Sequence, residues 1–94
     1  MRIFAVNSRF NPCRLMITCN AKDALPSRSA NAAIQRHLRG GWGDVCASDG
    51  RVNDDALKSG GRLLSVYHTQ DDELFWTITE SDRSATTVLL PSDY

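Results

Sequence analysis

Apolar residues along the chain change their spacing, and the change separates helices from strands. Between residues 30 and 38 the inward positions recur at three- and four-residue intervals, as Ala30, Ala33, Ile34, His37 and Leu38. That is the repeat of one helical face. Pro26-Ser27-Arg28-Ser29 precedes this stripe and Gly40-Gly41 follows it. Ser27 or Ser29 can cap the free amides of a first turn, and glycine takes the left-handed conformation that ends a helix. A second, shorter helix is predicted over residues 51–58, capped by Ser48 or Asp49 and stopped by Gly60-Gly61. Val52 and Leu57 are its inward positions, while Asp54 and Asp55 lie in its early turns, where the helix dipole favours acids.

Elsewhere the pattern is that of strands. Leu15-Met16-Ile17-Thr18 reads as one, ended by the polar stretch Asn20 to Asp23. Three more follow at 62–69, 74–79 and 86–90, with turns at Asp71-Asp72 and at Glu80-Ser81-Asp82-Arg83, before Pro91 closes the last. Leu74, Trp76 and Ile78 share one face of the middle strand, and Phe75, Thr77 and Thr79 the other. The first face is predicted to meet the helices. Residues 1–12 read as an N-terminal extension, in which Ile3 to Val6 is either a short edge strand or part of a poorly ordered terminus. The expected architecture is α+β, with residues 13–94 forming one domain. Its antiparallel sheet of three or four strands includes a C-terminal meander, and two helices pack on one face.

Length bounds what this fold can hold. A chain of 94 residues buries only about 60–65% of its unfolded surface, enough for one two-layer core. No apolar run approaches a membrane span and no leader pattern is present, so a cytoplasmic protein is expected. Three unpaired-looking cysteines, Cys13, Cys19 and Cys46, agree with a reducing compartment and read as small buried or half-buried thiols. With His37 and His68 they lack the close spacing that supplies two zinc ligands from one turn, so neither metal nor cofactor is expected.

Formal net charge is zero, yet it is unevenly spread. Residues 1–43 carry seven basic groups against one acid, a net of +6, and residues 44–94 carry ten acids against four bases, a net of −6. Either the halves neutralise each other in the fold or they present a partner surface. Direct nucleic-acid binding is disfavoured, since it needs a net positive face.

Catalytic patterns fail on geometry. Ser65 and His68 sit three apart on one predicted strand, so their side chains leave opposite faces, and Asp71 or Asp72 cannot complete a triad with them. Cys46 has Asp44 and Asp49 nearby, the wrong surround for a thiolate. Gly40-Gly41-Trp42-Gly43 follows a helix where a phosphate loop precedes one. Trp42 is either a cover on the core edge or an exposed anchor.

From His37 to Tyr94 the chain resembles a family of short bacterial proteins carried on plasmids, integrative elements and prophages. The matching residues are Arg39-Gly40, Trp42-Gly43-Asp44, Asn53, Leu57, Gly61 to Ser65, Tyr67, Trp76, Ile78-Thr79-Glu80, Asp82-Arg83-Ser84, Thr86-Thr87 and Leu89-Leu90-Pro91. Members are called plasmid-related proteins and sometimes restriction methylase subunits, a label this chain has no room to fulfil. The resemblance implies a mobile-element setting, in which small non-enzymatic proteins often inhibit host defence nucleases, as anti-CRISPR and anti-restriction proteins do.

The expected function is therefore non-catalytic: docking on the basic surface of a protein or ribonucleoprotein complex. The expected contact residues are Asp71, Asp72, Glu73, Glu80 and Asp82 on an acidic C-terminal edge, the adjoining Arg83, and the Trp42/Asp44 corner. The alternative is a small-ligand or regulatory module in which Trp42 and Trp76 line a pocket beneath the helices.

Overall fold

The computed structural model describes residues 8–94, so the predicted strand at Ile3–Val6 and the first part of the extension lie outside the described residues. In chain order the elements are β1 (Arg14–Ile17), α1 (Cys19–Ala24), α2 (Ser27–Leu38), α3 (Ala47–Ser59), β2 (Leu63–His68), β3 (Leu74–Thr79) and β4 (Ala85–Leu89), then a single 3-10 turn at Pro91–Asp93. The strands form one sheet in the order β1-β4-β3-β2. This is the expected α+β class. The sheet is mixed, however, and not antiparallel throughout: β1 runs parallel to β4, pairing Arg14 with Ala85 and Ile17 with Val88. A parallel pair needs a long crossover, and here the three helices and the first two strands of the meander supply it.

α2 follows its periodicity. Ala30, Ala33, Ile34, His37 and Leu38 are all buried, and they pack with Ala21 and Leu25 against Tyr67, Phe75 and Val88 of the sheet. Pro26 holds the N-cap position without a side-chain bond, so the serines do not cap as predicted. α3 begins a turn earlier than predicted, after Cys46, and ends where Gly60 adopts φ 90°. Its inward positions are Asn53 and Ala56, whereas Val52 is 62% exposed. α1 occupies the stretch expected to be a loop. Its N-cap is Thr18, whose hydroxyl accepts the Ala21 amide at 3.1 Å and donates to Asp93 at 2.6 Å. The described residues therefore form three α-helices where two were expected.

The largest correction concerns the sheet faces. Phe75, Thr77 and Thr79 point to the helices, together with Leu63, Ser65, Tyr67, Thr86 and Val88; Leu74, Trp76 and Ile78 lie on the opposite face. Hydrophobicity alone favours the second set. The inward set wins because four of its five hydroxyls, all but that of Thr77, find partners, which removes most of the cost of burying them.

β2 is an edge strand, and its outward backbone groups at Leu64 and Val66 are occupied. Val66 donates to the Trp42 carbonyl at 3.0 Å and accepts from the Asp44 amide at 2.7 Å. Gly43, at φ 75°, lies so close that a Cβ there would run into the Val66 carbonyl and the Tyr67 ring. One register position along, the Asn53 carboxamide acts as a further strand residue, donating to the Leu64 carbonyl at 2.7 Å and accepting its amide at 3.1 Å. Both devices shield the edge from pairing with another chain.

Candidate functional site

The predicted acidic edge is divided by the geometry of the meander. Asp71, Asp72 and Glu73 sit on the β2–β3 turn and are exposed. Asp44 joins them at that end, held 2.6 Å from His68 in a pair with both side chains well exposed. Such a screened surface pair contributes at most about 1 kcal/mol. Glu80 and Asp82 occupy the β3–β4 turn, at the other end of the six-residue strand β3. A strand of that length puts about 20 Å between the two turns. The expected residues thus form two separate groups. At the second turn, the Ser84 hydroxyl and amide hold the Asp82 carboxyl below the usual carboxylate range.

Opposite the first group lies a cleft of about 360 Å³, where Asp71 faces Arg28 and Arg36 of α2. Neither arginine bridges to it. Arg36 instead lies over the Tyr67 ring at 4.8 Å. His68–Asp44 is the single ion pair among the described residues, so none of the described arginines or lysines of the basic half bridges to a described carboxylate of the acidic half.

Trp42 and Arg83 have structural partners. Trp42 is 7% exposed and packs with Ala56 and Leu63, and its indole N–H donates to Asp54 at 3.0 Å. It is a cover on the core edge. The Arg83 guanidinium donates to the carbonyls of Ala56 at 2.8 Å, Gly61 at 2.6 Å and Glu80 at 3.2 Å. It closes the C-terminal end of α3 and ties it to the β3–β4 turn, a use that matches its planar fork of donors.

Between these elements lies a polar core that the sequence pattern did not reveal. His37 has no exposed surface, and neither has Ser65. Its Nδ1 lies 2.5 Å from Ser65 Oγ and its Nε2 2.8 Å from Thr79 Oγ1. Thr79 continues to Thr86 at 2.8 Å, and Thr86 donates to the Pro12 carbonyl at 3.2 Å. Because each hydroxyl has one proton, this final bond fixes the direction of the whole chain. Thr86 spends its proton on Pro12, so Thr79 donates to Thr86 and accepts from His37 Nε2–H. Nδ1 then accepts from Ser65. The imidazole is neutral, and burial, aided by Arg83, pushes its pKa down to about 4. The rings of Phe10 and Trp42 stand edge-on to it, each at 5.5 Å. Ser65 and His37 are the nearest thing to a nucleophile and its base, and both are sealed from solvent. Ser65 and His68 do leave opposite faces of β2, as their spacing requires.

The outer face of the sheet carries a groove of about 270 Å³ between α3 and the C-terminal residue, floored by Leu64, Trp76 and Ile78 and walled by Val52 and Tyr94. Trp42 takes no part in it: the two tryptophans lie on opposite faces of the sheet, so no pocket joins them beneath the helices. Tyr94 stands edge-on to Trp76 at 5.7 Å, and its segment is held by Asp93, whose carboxylate accepts from Thr18 and from Asn20 (2.8 Å). Those bonds hold the Asp93 carboxyl below its ordinary range, Thr18 first.

All three cysteines are free and exposed, not buried as expected. Among the described residues no three His, Cys, Asp or Glu side chains meet where they could hold a metal ion, and no helix is long and apolar enough to cross a membrane. Compared with known proteins, the chain matches no family model, no curated protein and no solved structure. Of the features missed, the inward hydroxyls of β3 had a signal: Thr77 and Thr79 share a face with Phe75. The Asn53 brace had none, since it depends on how α3 meets β2.

Proposed function

We propose that this protein is a non-catalytic binding domain that docks on the basic surface of a protein or ribonucleoprotein complex. One observation carries the reading: among the described residues no arginine or lysine bridges to a carboxylate, although the charged residues are numerous on both sides. Unpaired surface carboxylates keep their field for a partner, where they steer encounter and fix orientation. Asp71, Asp72 and Glu73 form the principal contact, joined by Asp44, whose carboxylate is shared with His68. Glu80 and Asp82 add a second contact for a partner long enough to span β3, and Arg83 positions that turn. The mobile-element setting implied by the family resemblance makes the nucleic-acid groove of a host defence nuclease the first partner to test.

The test is affinity capture from a bacterial lysate at low salt, comparing the natural chain with Asp71→Lys/Glu73→Lys. Asp72 is left alone because its φ of 66° makes substitution a backbone perturbation. A basic protein captured by the first and lost by the second supports the reading. Equal capture by both overturns it.

A further inference from the structure

We propose that the groove on the outer sheet face receives one apolar side chain from a basic segment of the partner. This deepens, and rests on, the partner-binding reading above. The groove has what an anchor site needs. Its floor of Leu64, Trp76 and Ile78 is apolar, and both walls are largely exposed: Val52 is 62% and Tyr94 68% exposed. Its volume of about 270 Å³ falls just below the roughly 300–1,000 Å³ of pockets that enclose a cofactor or drug-sized ligand. It suits a Leu- or Phe-sized group.

Charge decides what flanks that group. Asp49 lies at the lip on the α3 side with no ion-pair partner. The positive group facing the groove is Arg62, drawn to the other wall, where its guanidinium lies over the Tyr94 ring at 4.9 Å. An apolar residue seated on Trp76 with a lysine or arginine beside it would place the cation at Asp49, away from Arg62. Aromatic and aliphatic anchors in such pockets carry most of the affinity of an interface, and rim charges set its orientation.

The test is a titration of the full chain with the peptide acetyl-Lys-Leu-Phe-Lys-amide, followed by two-dimensional ¹H–¹⁵N NMR. Trp42 and Trp76 give two indole signals, and Trp76→Phe tells which is which. The expected result is a shift of the Trp76 indole and the Leu64 and Ile78 amides, with Trp42 unmoved. Replacing Leu-Phe by Gly-Gly should weaken binding by roughly ten-fold or more, the worth of a buried apolar side chain. Val52→Lys, at an exposed helical position that leaves the core intact, should weaken it similarly. Shifts confined to Asp44 and the 71–73 turn, equal for the Gly-Gly peptide, overturn the groove and leave the basic-partner reading standing. Equal binding of a peptide with glutamate in place of lysine overturns the basic partner and favours a small apolar ligand. No shift at millimolar peptide overturns the anchor site.

Discussion

The neutral imidazole at the centre of the domain makes its stability depend on pH in a defined window. The His37 pKa is pushed down to about 4 from an ordinary 6.5, chiefly by burial. A base with a depressed native pKa is neutral in the fold while the unfolded chain takes up its proton, so stability is complete above about pH 6.5 and falls below it. The fall continues until the native imidazole itself protonates near pH 4. A gap of that size amounts to about 3 kcal/mol in all, of which about 2 kcal/mol is lost between pH 7 and pH 5. For a domain of this length that is a drop of roughly 10 °C in melting temperature. Geometry gives the same sign. A proton on Nδ1 would face Ser65 Oγ and force that hydroxyl to find another acceptor inside the core. The assay is thermal unfolding by circular dichroism at half-unit steps from pH 7 to 4.5, with His37→Gln in parallel. Glutamine can bond to Ser65 and Thr79 without titrating, so the variant should be less stable at pH 7 by about 1–3 kcal/mol and lack the slope. Asp82 and Asp93, whose carboxyls are held low, lose their contribution only as pH falls past the carboxylate range, below this window. A natural chain equally stable at pH 7 and 5, or a variant with the same slope, would refute the assignment.

Three further substitutions probe the frame. Gly43→Ala forces a Cβ against the Val66 carbonyl at a left-handed φ, and should cost more than about 2 kcal/mol in urea unfolding; a loss under 0.5 kcal/mol, roughly the scatter of a surface change, would refute the close approach. Thr77 has a buried hydroxyl without a partner, so Thr77→Val should be neutral or stabilise by about 1 kcal/mol in the same assay, and a clear loss would show that the hydroxyl is bonded. Arg83→Lys keeps the charge but not the fork that reaches Ala56 and Gly61. It should cost about 1–3 kcal/mol and raise amide exchange in the last turn of α3, with unchanged exchange there as the contrary result.

Periodicity made α2 legible down to each buried position, because a helix packed along one stripe repeats its burial faithfully. The meander strands were legible from their composition and turns. What failed was direction and facing. Nothing in Arg14–Ile17 itself says which strand it will join, so the parallel pairing with β4 depends on the crossover. The inward face of β3 was misjudged because Leu74, Trp76 and Ile78 look like a core. They floor a surface groove instead, while Thr79 takes the interior, bonded to a histidine more than 40 residues away. Long-range polar satisfaction of that kind leaves no local pattern. α1 was missed because its six residues lack an apolar repeat, and Thr18, its N-cap, was read as the end of the preceding strand. The acidic groups were identifiable one by one, yet only the direction of β3 shows that they occupy two ends.

The account stands or falls on association with a basic partner. Once a captured partner is in hand, its association rate with the natural chain and with Asp71→Lys/Glu73→Lys should be measured across a salt series. The account predicts an on-rate reduced about ten-fold or more at low salt, with the two proteins converging as salt rises. Identical rates and identical salt dependence would contradict it.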